Sequence, residues 1–514
     1  MSAHQSLLDD AARLVRTHNL TPQQKQLALY QRLEAALPRC HYSDAVAEAV
    51  ESGLVHEMFE PALPFKPRYT VPDYAKALTR GSAFLELDPA EDLDDALHLL
   101  TILYQHVPSV TTYPVFLGHL DALLEPYVGG LSDDALYKKL RRFWQMIDRI
   151  VPDAFAHVNL GPQDSRVGRA LLAIDAELAQ SVPNLTFRFQ PGVTPEDLLD
   201  QVARNIAHCN KPHVANHERI ARDFDGEYAN VSCFNSLPLG GGAHTLMRLN
   251  LRVSFALCDG SVVDYLANTL PRCVALMAEA LEHRIRALVE ETQFYRHDFL
   301  CQEGLLDPAK FTAMFGIYGT AELVNQLMAA AGKSGRYGLD EEATALGERI
   351  IAAYADAVNQ LAMPHCLDNK VMLHAQSGIS CDTEETAGTR IPIGEEPDPA
   401  SYIRATARMH DYFQAGVSDI LGFEPTIRQN PQALTRLIRG GFRLGMRVFT
   451  ANLSDCDLVR VTGFLVKKSD IEQYRQQAER HQSTALGLEA VEVGQILSRQ
   501  ARVLNQEQHP SALW

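Results

Sequence analysis

Val459-Arg460-Val461-Thr462-Gly463-Phe464 lies near the end of a chain of 514 residues. Its plain reading is a glycine at a tight turn between two short strands, 458–462 and 464–466. A residue without Cβ also lets a second loop approach closely. Upstream, Arg439-Gly440-Gly441-Phe442-Arg443 and Met446-Arg447-Val448-Phe449-Thr450 read as a loop and a strand leading to that glycine. Downstream, the pattern predicts a polar helix over 469–481 and another around 485–504.

Length allows one very large domain or roughly two to four ordinary ones. A hydrophobic fraction of 46% with 22% charged residues is that of a soluble globular protein. The net charge of −17 argues against a nucleic-acid backbone or an anionic membrane as partner. No apolar run reaches the length of a membrane span. Met1-Ser2-Ala3-His4-Gln5 lacks the basic region and apolar core of a signal peptide, so a cytoplasmic protein is expected. The nine cysteines are scattered and never spaced CxxC. That is the pattern of reduced thiols rather than of disulfides or a four-cysteine zinc site.

Residues 1–150 read as helices, with stripes such as Leu7-Leu8-Ala11-Leu14-Val15. Asp94-Asp95 suits a first helical turn ahead of Leu97, and Pro61, Pro64 and Pro67 mark an extended connector. Beyond about 150, strand-like and helical runs alternate, which implies βα units. Residues 184–189 form a strand candidate. Thr194 is expected to cap a helix with Pro195 in its first turn, running through 198–208 and ending near Asn210-Lys211-Pro212. Cys209, His213 and His217 recur every four residues, so a metal site stands as an alternative to a solvated helix or turn.

Asn230-Val231-Ser232-Cys233-Phe234-Asn235-Ser236 then leads to Gly240-Gly241-Gly242-Ala243-His244-Thr245 and an alternating, strand-like run over 246–255. A lone cysteine is ordinarily a small buried hydrophobe. Three glycines could cradle a phosphate, but no Lys-Ser/Thr follows, so this is no P-loop. A helical stretch over 262–292 precedes Gly316-Ile317-Tyr318-Gly319-Thr320-Ala321-Glu322, whose plain reading is a strand-to-helix turn. Residues 363–399 are too long for an ordinary connection and read as an active-site wall, carrying His365, Cys366, His374, Cys381, Thr383, Glu384, Glu385 and Thr386.

Three of these segments resemble those of one superfamily. Residues 459–464 resemble the Arg-Val-x-Gly-Tyr signature of glycyl radical enzymes, with Phe464 where tyrosine is usual. Cys233, Gly240–Gly242, Thr245 and Asn250-Leu251 stand in the order of the Cys loop, Gly-rich turn and strand of anaerobic ribonucleotide reductases. Gly316, Ile317, Gly319 and Glu322 match their Gly-Ile-x-Gly-x-x-Glu stretch. The layout and the ending His509-Pro510-Ser511-Ala512-Leu513-Trp514 look most like the YjjI-type family.

The resemblance implies a ten-stranded α/β barrel with a helical N-terminal region. Its expected division is 1–150 helical, 151–435 barrel with the cysteine loop, and 436–514 glycyl radical region with a helical tail. A planar radical stored on Gly463 would convert the Cys233 thiol to a thiyl radical, reversibly, because the S–H and glycyl Cα–H bonds are close in strength. The thiyl radical would take hydrogen from a small metabolite. Expected substrate contacts are Asn235, His244, Thr245, Asn250, Glu322, Glu384 and Glu385, with His244, Glu384 and Glu385 as candidate bases. The chain itself would hold no metal or cofactor. Its implied partner is a radical-SAM activase that uses S-adenosylmethionine and an iron–sulfur cluster; a homodimer is an open alternative for its assembly.

This chain departs from the better-known branches. The reductases carry a four-cysteine zinc site shortly before their radical glycine, where this chain has only Cys456. Pyruvate formate-lyase-like enzymes pair two adjacent cysteines, but Ser232 and Phe234 flank Cys233. Glycyl radical eliminases carry a glutamate two residues after the cysteine, where Asn235 stands and can hydrogen-bond but not act as a base. The Cys loop looks most like that of the nucleotide reductases, and that resemblance implies a hydroxylated, sugar-like or nucleoside-like substrate. Reductase-like nucleotide chemistry and a non-enzymatic binding or scaffold role are the alternatives.

Overall fold

In this computed structural model the residues described are 3–18, 20–58, 60–111, 113–151, 155–375, 385–417, 419–453, 455–460 and 465–476. The strands, in chain order, are β1 (Val55–His56), β2 (Tyr69–Val71), β3 (His157–Leu160), β4 (Asn184–Phe189), β5 (His213–Asn216), β6 (Tyr228–Val231), β7 (Asn235–Pro238) and β8 (Gly241–Asn250). They continue as β9 (Phe311–Tyr318), β10 (Met372–Ala375), β11 (Leu421–Phe423), β12 (Val448–Phe449), β13 (Ala451–Leu453), β14 (Leu458–Arg460) and β15 (Leu465–Lys467).

Two sheets frame the molecule. In the first, β3, β4 and β5 run parallel and β12 closes antiparallel on β5. In the second, β8, β9 and β10 run parallel, while β1 and β2 both pair antiparallel with β8. Helices Arg166–Leu178 and Glu196–Cys209 link the parallel strands of the first sheet. Leu270–Arg286 joins β8 to β9, and Thr320–Ala330 with Glu341–Asn359 joins β9 to β10. Parallel strands need such crossovers.

β4 shows why the sheet folds around an interior. Leu185, Phe187 and Phe189 alternate with Asn184, Thr186 and Arg188, yet all six are buried. Alternation puts the two sets on opposite faces. The register places Thr186 opposite both Asn159 and His213, so the polar face continues across β3 and β5. A buried polar face requires polar partners. The β6–β7 hairpin supplies them: Asn159 Nδ2 donates to the Asn230 carbonyl (2.7 Å), and the Asn230 amide donates to Asn159 Oδ1 (2.8 Å). On its other side the Ser236 amide donates to the Ala415 carbonyl (2.9 Å), and Asn235 bridges to Gly416. Gly416 accepts in turn from the Ala375 amide of β10 (3.1 Å). The hairpin thus stands between the two sheets.

Several expectations change. The first 150 residues are mainly helical, but β1 and β2 pair with β8, across the expected boundary at 150. Pro195, not Thr194, takes the cap position of Glu196–Cys209. The Thr194 hydroxyl lies one residue too far back and instead donates to the Pro162 carbonyl. Residues 439–443 are helix, not loop, within Gln432–Leu444, because Leu434, Ile438 and Phe442 bury one stripe. That burial outweighs the cost of about 1 kcal/mol that each of two glycines adds. The strand expected over 246–255 is shifted: β8 begins at Gly241 and ends at Asn250, whose side chain caps the next helix, Leu251–Ser254. The tail forms a helix over Lys468–Gln476. The helix expected around 485–504 lies outside the described residues.

Candidate active site

Ser232, Cys233 and Phe234 form the tip of the β6–β7 hairpin. Ser232 (φ 47°) and Phe234 (φ 64°) both adopt left-handed backbone, which costs a residue with Cβ about 1–2 kcal/mol. Surrounding contacts hold that geometry. The His213 ring meets the Phe234 ring edge-on at 4.7 Å, and the Arg460 guanidinium lies 5.7 Å from the same ring. Gly416 lies so close that a Cβ there would sit 2.1 Å from the Phe234 carbonyl oxygen. Cys233 is buried, and the Ser232 hydroxyl points to its sulfur at 3.8 Å. The Tyr69 hydroxyl lies beside Ser232 and Arg68. Burial raises its pKa, and hydrogen bonds to both neighbours work against that rise.

Below the tip runs a buried layer of His157, Thr186 and His213. Thr186 Oγ1 is 2.7 Å from His157 Nε2 and 2.5 Å from His213 Nε2. Burial, with Arg460 adding to it, pushes His157 down to about 3; burial, with the neighbouring His157 and Arg460 adding to it, pushes His213 well below its ordinary value. Both rings are therefore neutral at physiological pH, and the layer is polar without carrying charge.

Arg460 joins this layer to the C-terminal strands. Its Nη2 donates to the Asn210 carbonyl (2.8 Å) and its amide to Asn452 Oδ1 (3.0 Å). Asn210 Nδ2 donates to the Leu458 and Leu453 carbonyls (2.7 and 3.1 Å). Burial pushes the Arg460 guanidinium down to about 9, and Arg390 adds to that fall. β14 pairs antiparallel with β15, Arg460 opposite Leu465. Leu458 and Leu465 pack on the buried Cys209. Gly463 belongs to the segment 461–464 between those strands and lies outside the described residues.

The other expected site residues fall in separate places. Asn235 is fully buried; its Nδ2 donates across the turn to the Val231 carbonyl (3.2 Å), and its Oδ1 has no partner among the described residues. His244 spends both ring nitrogens, on the Tyr295 hydroxyl and the His365 carbonyl, and burial pushes it down to about 4. Thr245 donates to Glu60 within a network that includes Arg284. Asn250, Glu322 and Glu385 do come together. Glu385 accepts from Asn250 Nδ2 (3.0 Å) and pairs with Arg252 (2.6 Å). Glu322 accepts from the amide of Thr386 (3.0 Å) and from its hydroxyl. Burial raises the Glu322 pKa. Glu384 lies outside the described residues, as do Cys381 and Thr383.

The glycine triplet has a packing explanation. A Cβ on Gly241 would sit 2.1 Å from the Lys310 carbonyl oxygen, and one on Gly242 2.0 Å from that of Tyr69. His213 and His217 turn to Thr186 and to the Tyr228 hydroxyl (2.9 Å). Among the described residues no group of three or more His, Cys, Asp or Glu side chains is placed to hold a metal ion. Tyr69, His157 and Thr186 were not singled out from sequence; Asn210 was read only as a helix end and His213 only as a candidate metal ligand. The alternation within 184–189 was the available signal for the layer.

Solved structures share this architecture. The glycerol-bound B12-independent glycerol dehydratase from Clostridium butyricum is 12% identical, with a TM-score of 0.68 over 94% of this chain and 88% of that one. The anaerobic ribonucleotide reductase from Thermotoga maritima, in complex with dATP and CTP, is 12% identical, with a TM-score of 0.65 over 88% of this chain and 90% of that one. The fold is the α/β barrel of glycyl radical enzymes. The chain belongs to the YjjI-like glycyl radical enzyme family, whose model matches residues 20–502. YjjI of Escherichia coli K12 is 46% identical over 511 residues, 99% of this chain and 98% of that protein. A Haemophilus influenzae protein is 35% identical over 508 residues, 96% of this chain and 98% of its own. The protein is thus an enzyme of the glycyl radical class. Membership implies a glycyl radical installed after translation, an activase partner and a small-molecule substrate. Among the described residues no helix is long and apolar enough to cross a membrane.

Proposed function

We propose that Gly463 stores the radical, that Cys233 relays it, and that the substrate is a small hydroxylated metabolite. The observation that carries this reading is the Arg460–Phe234 contact, which ties the strand leading to Gly463 to the residue next to Cys233. Only Phe464 separates Gly463 from Leu465 in the sequence, a chain reach of at most about 7 Å. The glycyl radical takes the hydrogen atom of the Cys233 thiol, which restores glycine and leaves a thiyl radical. The thiyl radical takes a hydrogen atom from substrate carbon, which restores the thiol and leaves a substrate radical. A buried site that excludes water and oxygen favours both steps.

The hydroxylated substrate rests on Asn235. Its buried Oδ1 is an acceptor without a partner among the described residues, two residues from Cys233. A substrate hydroxyl would satisfy it, and an unsatisfied buried acceptor costs about 1–3 kcal/mol. The activase would be a separate radical-SAM protein using S-adenosylmethionine and an iron–sulfur cluster.

Anaerobic incubation with the cognate activase, reductant and S-adenosylmethionine should produce a doublet EPR signal, split by the glycyl α-hydrogen. Gly463→Ala should abolish it, and a doublet in that variant overturns the assignment. Cys233→Ser should keep the doublet and lose turnover, because a serine O–H bond is too strong for the exchange.

A further inference from the structure

The carboxyl ends of β3, β4 and β5 lie side by side, at Leu160, Phe189 and Asn216. Ligands of α/β sheets collect outside such ends. Arg188 stands there, on the same polar face of β4 as Thr186. It lies about 7 Å along the strand from the histidine layer.

Arg188 is only 7% exposed, yet among the described residues it makes no ion pair. Other buried arginines do. Arg68 meets Glu60, Arg284 meets Glu57 and Glu60, and Arg447 meets Asp223. Arg188 Nη2 donates to the Gly161 carbonyl. Its Nε is buried without a partner, and Nη1 makes no hydrogen bond among the described residues.

The neighbouring carboxylate is Asp121, and it is held elsewhere. It accepts from the amides of Gly161 (2.5 Å) and Ala122 (2.9 Å). It also lies against the first turn of helix Arg166–Leu178, where a Cβ on Gly168 would sit 3.5 Å from its Oδ2. Amides and a helix start balance a negative charge. Gly161 stands between the two groups: its amide serves Asp121 and its carbonyl serves Arg188. Burial raises the Asp121 pKa, and Arg188 and the amides work against that rise.

The other groups around Arg188 are uncharged. Burial raises the pKa of Tyr228, at the root of the β6–β7 hairpin, so the phenol keeps its proton. Its hydroxyl is 2.9 Å from His217 Nδ1, and the two rings stack at 5.6 Å. His119 Nε2 donates to the Tyr228 carbonyl (2.9 Å), which leaves Nδ1 a buried acceptor without a partner. Burial, with Arg188 adding to it, lowers His119 well below its ordinary value and His217 to about 4, so both rings are neutral. His217 is half-buried and forms the outer side of the group. A buried guanidinium with free donors and no carboxylate on it is an ion pair lacking its second member. Its fork of donors is suited to carboxylate and phosphate oxygens.

We infer that this end of the first sheet binds a small oxyanion, a carboxylate or a phosphate ester, held by the Arg188 guanidinium with His217 at the rim. The site does not depend on which residues carry the radical. Calorimetry on the full-length, unactivated chain tests it with inorganic phosphate, acetate and glycerol. A single equivalent of phosphate or acetate should bind, more weakly as salt is raised, and glycerol should give no heat of binding. Arg188→Gln should weaken that binding at least about tenfold. Arg188→Lys keeps the charge without the fork and should weaken it less. His217→Glu brings a carboxylate to the rim, at the start of helix His217–Asp223, where a negative charge is tolerated. Pairing with Arg188, it should also weaken binding at least about tenfold. Circular dichroism verifies that each variant is folded. His217→Glu decides if Arg188→Gln is unfolded, and Arg188→Gln decides if both fold and disagree. Binding of phosphate alone assigns a phosphate ester, binding of acetate alone a carboxylate, and binding of both a site open to either. The inference is overturned if neither anion binds, or if both variants bind as the wild type does. Loss of the Gly463 assignment with anion binding intact would remove the radical reading and leave this site.

Discussion

Arg460 lies between the two positions proposed to carry the radical. It contacts Phe234 beside the cysteine, and the backbone that holds β13 and β14. A lysine would keep the charge but lose the planar contact and the reach. In deuterated buffer the thiol of a working relay exchanges its hydrogen with solvent and passes deuterium to glycine, so the EPR doublet collapses to a singlet. Arg460→Lys should still form the doublet but slow that collapse at least about tenfold. Collapse at the wild-type rate would mean that Arg460 does not set the spacing. Asn235→Leu belongs to the same scale. If its buried oxygen accepts from a substrate hydroxyl, kcat/KM should fall about 10- to 100-fold, with the EPR signal unchanged.

The β6–β7 hairpin shows how one element depends on chain far from it. Gly416 lies at φ 121°, and a Cβ there would meet the Phe234 carbonyl at 2.1 Å. Gly416→Ala should destabilise the fold by about 2–4 kcal/mol from strain and overpacking, read as a lower urea midpoint. It should also displace the cysteine tip and slow the deuterium collapse. Much at this scale was legible in sequence. Residues 184–189 form a strand with the expected bounds, the helix before Asn210 is present, and of the strands expected on either side of Gly463 the described residues show Leu458–Arg460 and Leu465–Lys467. These patterns are local. What sequence did not disclose is nonlocal. β1 and β2 are too short to announce themselves and exist because β8 offers an edge. Helix Gln432–Leu444 carries two glycines and gains its stability from burial. Expected contacts such as His244 and Thr245 lie on a strand whose register is broken between Ala243 and Leu246, so counting alternate residues misplaces their side chains.

At the scale of the molecule, the interior is assembled from neutral histidines, and that sets a dependence on pH. His157 and His244 titrate near 3 and 4 in the folded protein, against about 6.5 unfolded. Below pH 6.5 the unfolded chain binds protons that the folded one refuses. Stability is therefore full above pH 6.5 and falls as pH drops toward the folded values. Between pH 6.5 and 5 each histidine can account for about 2 kcal/mol. Buried carboxylates with raised pKa, such as Asp175 and Asp121, act in the opposite sense, so the share must be isolated. His244→Gln keeps hydrogen-bonding groups toward Tyr295 and the His365 carbonyl. Urea titrations across that range should show a shallower pH slope for the variant by up to about one proton.

The pairing of β14 with β15 has a consequence for inactivation by air. Oxygen that meets the stored radical should cut the backbone at Gly463, between two strands that remain paired. The new C-terminal piece is also fastened by Asp457, which accepts from the Ser469 amide and hydroxyl (3.0 and 2.8 Å), and by the Lys468 amide donating to the Asp457 carbonyl (3.0 Å). Leu465 stays packed on Cys209. The spent enzyme should therefore migrate as two bands under denaturing electrophoresis yet elute from a sizing column as a single unaltered peak, a nicked protein that outwardly resembles an intact one.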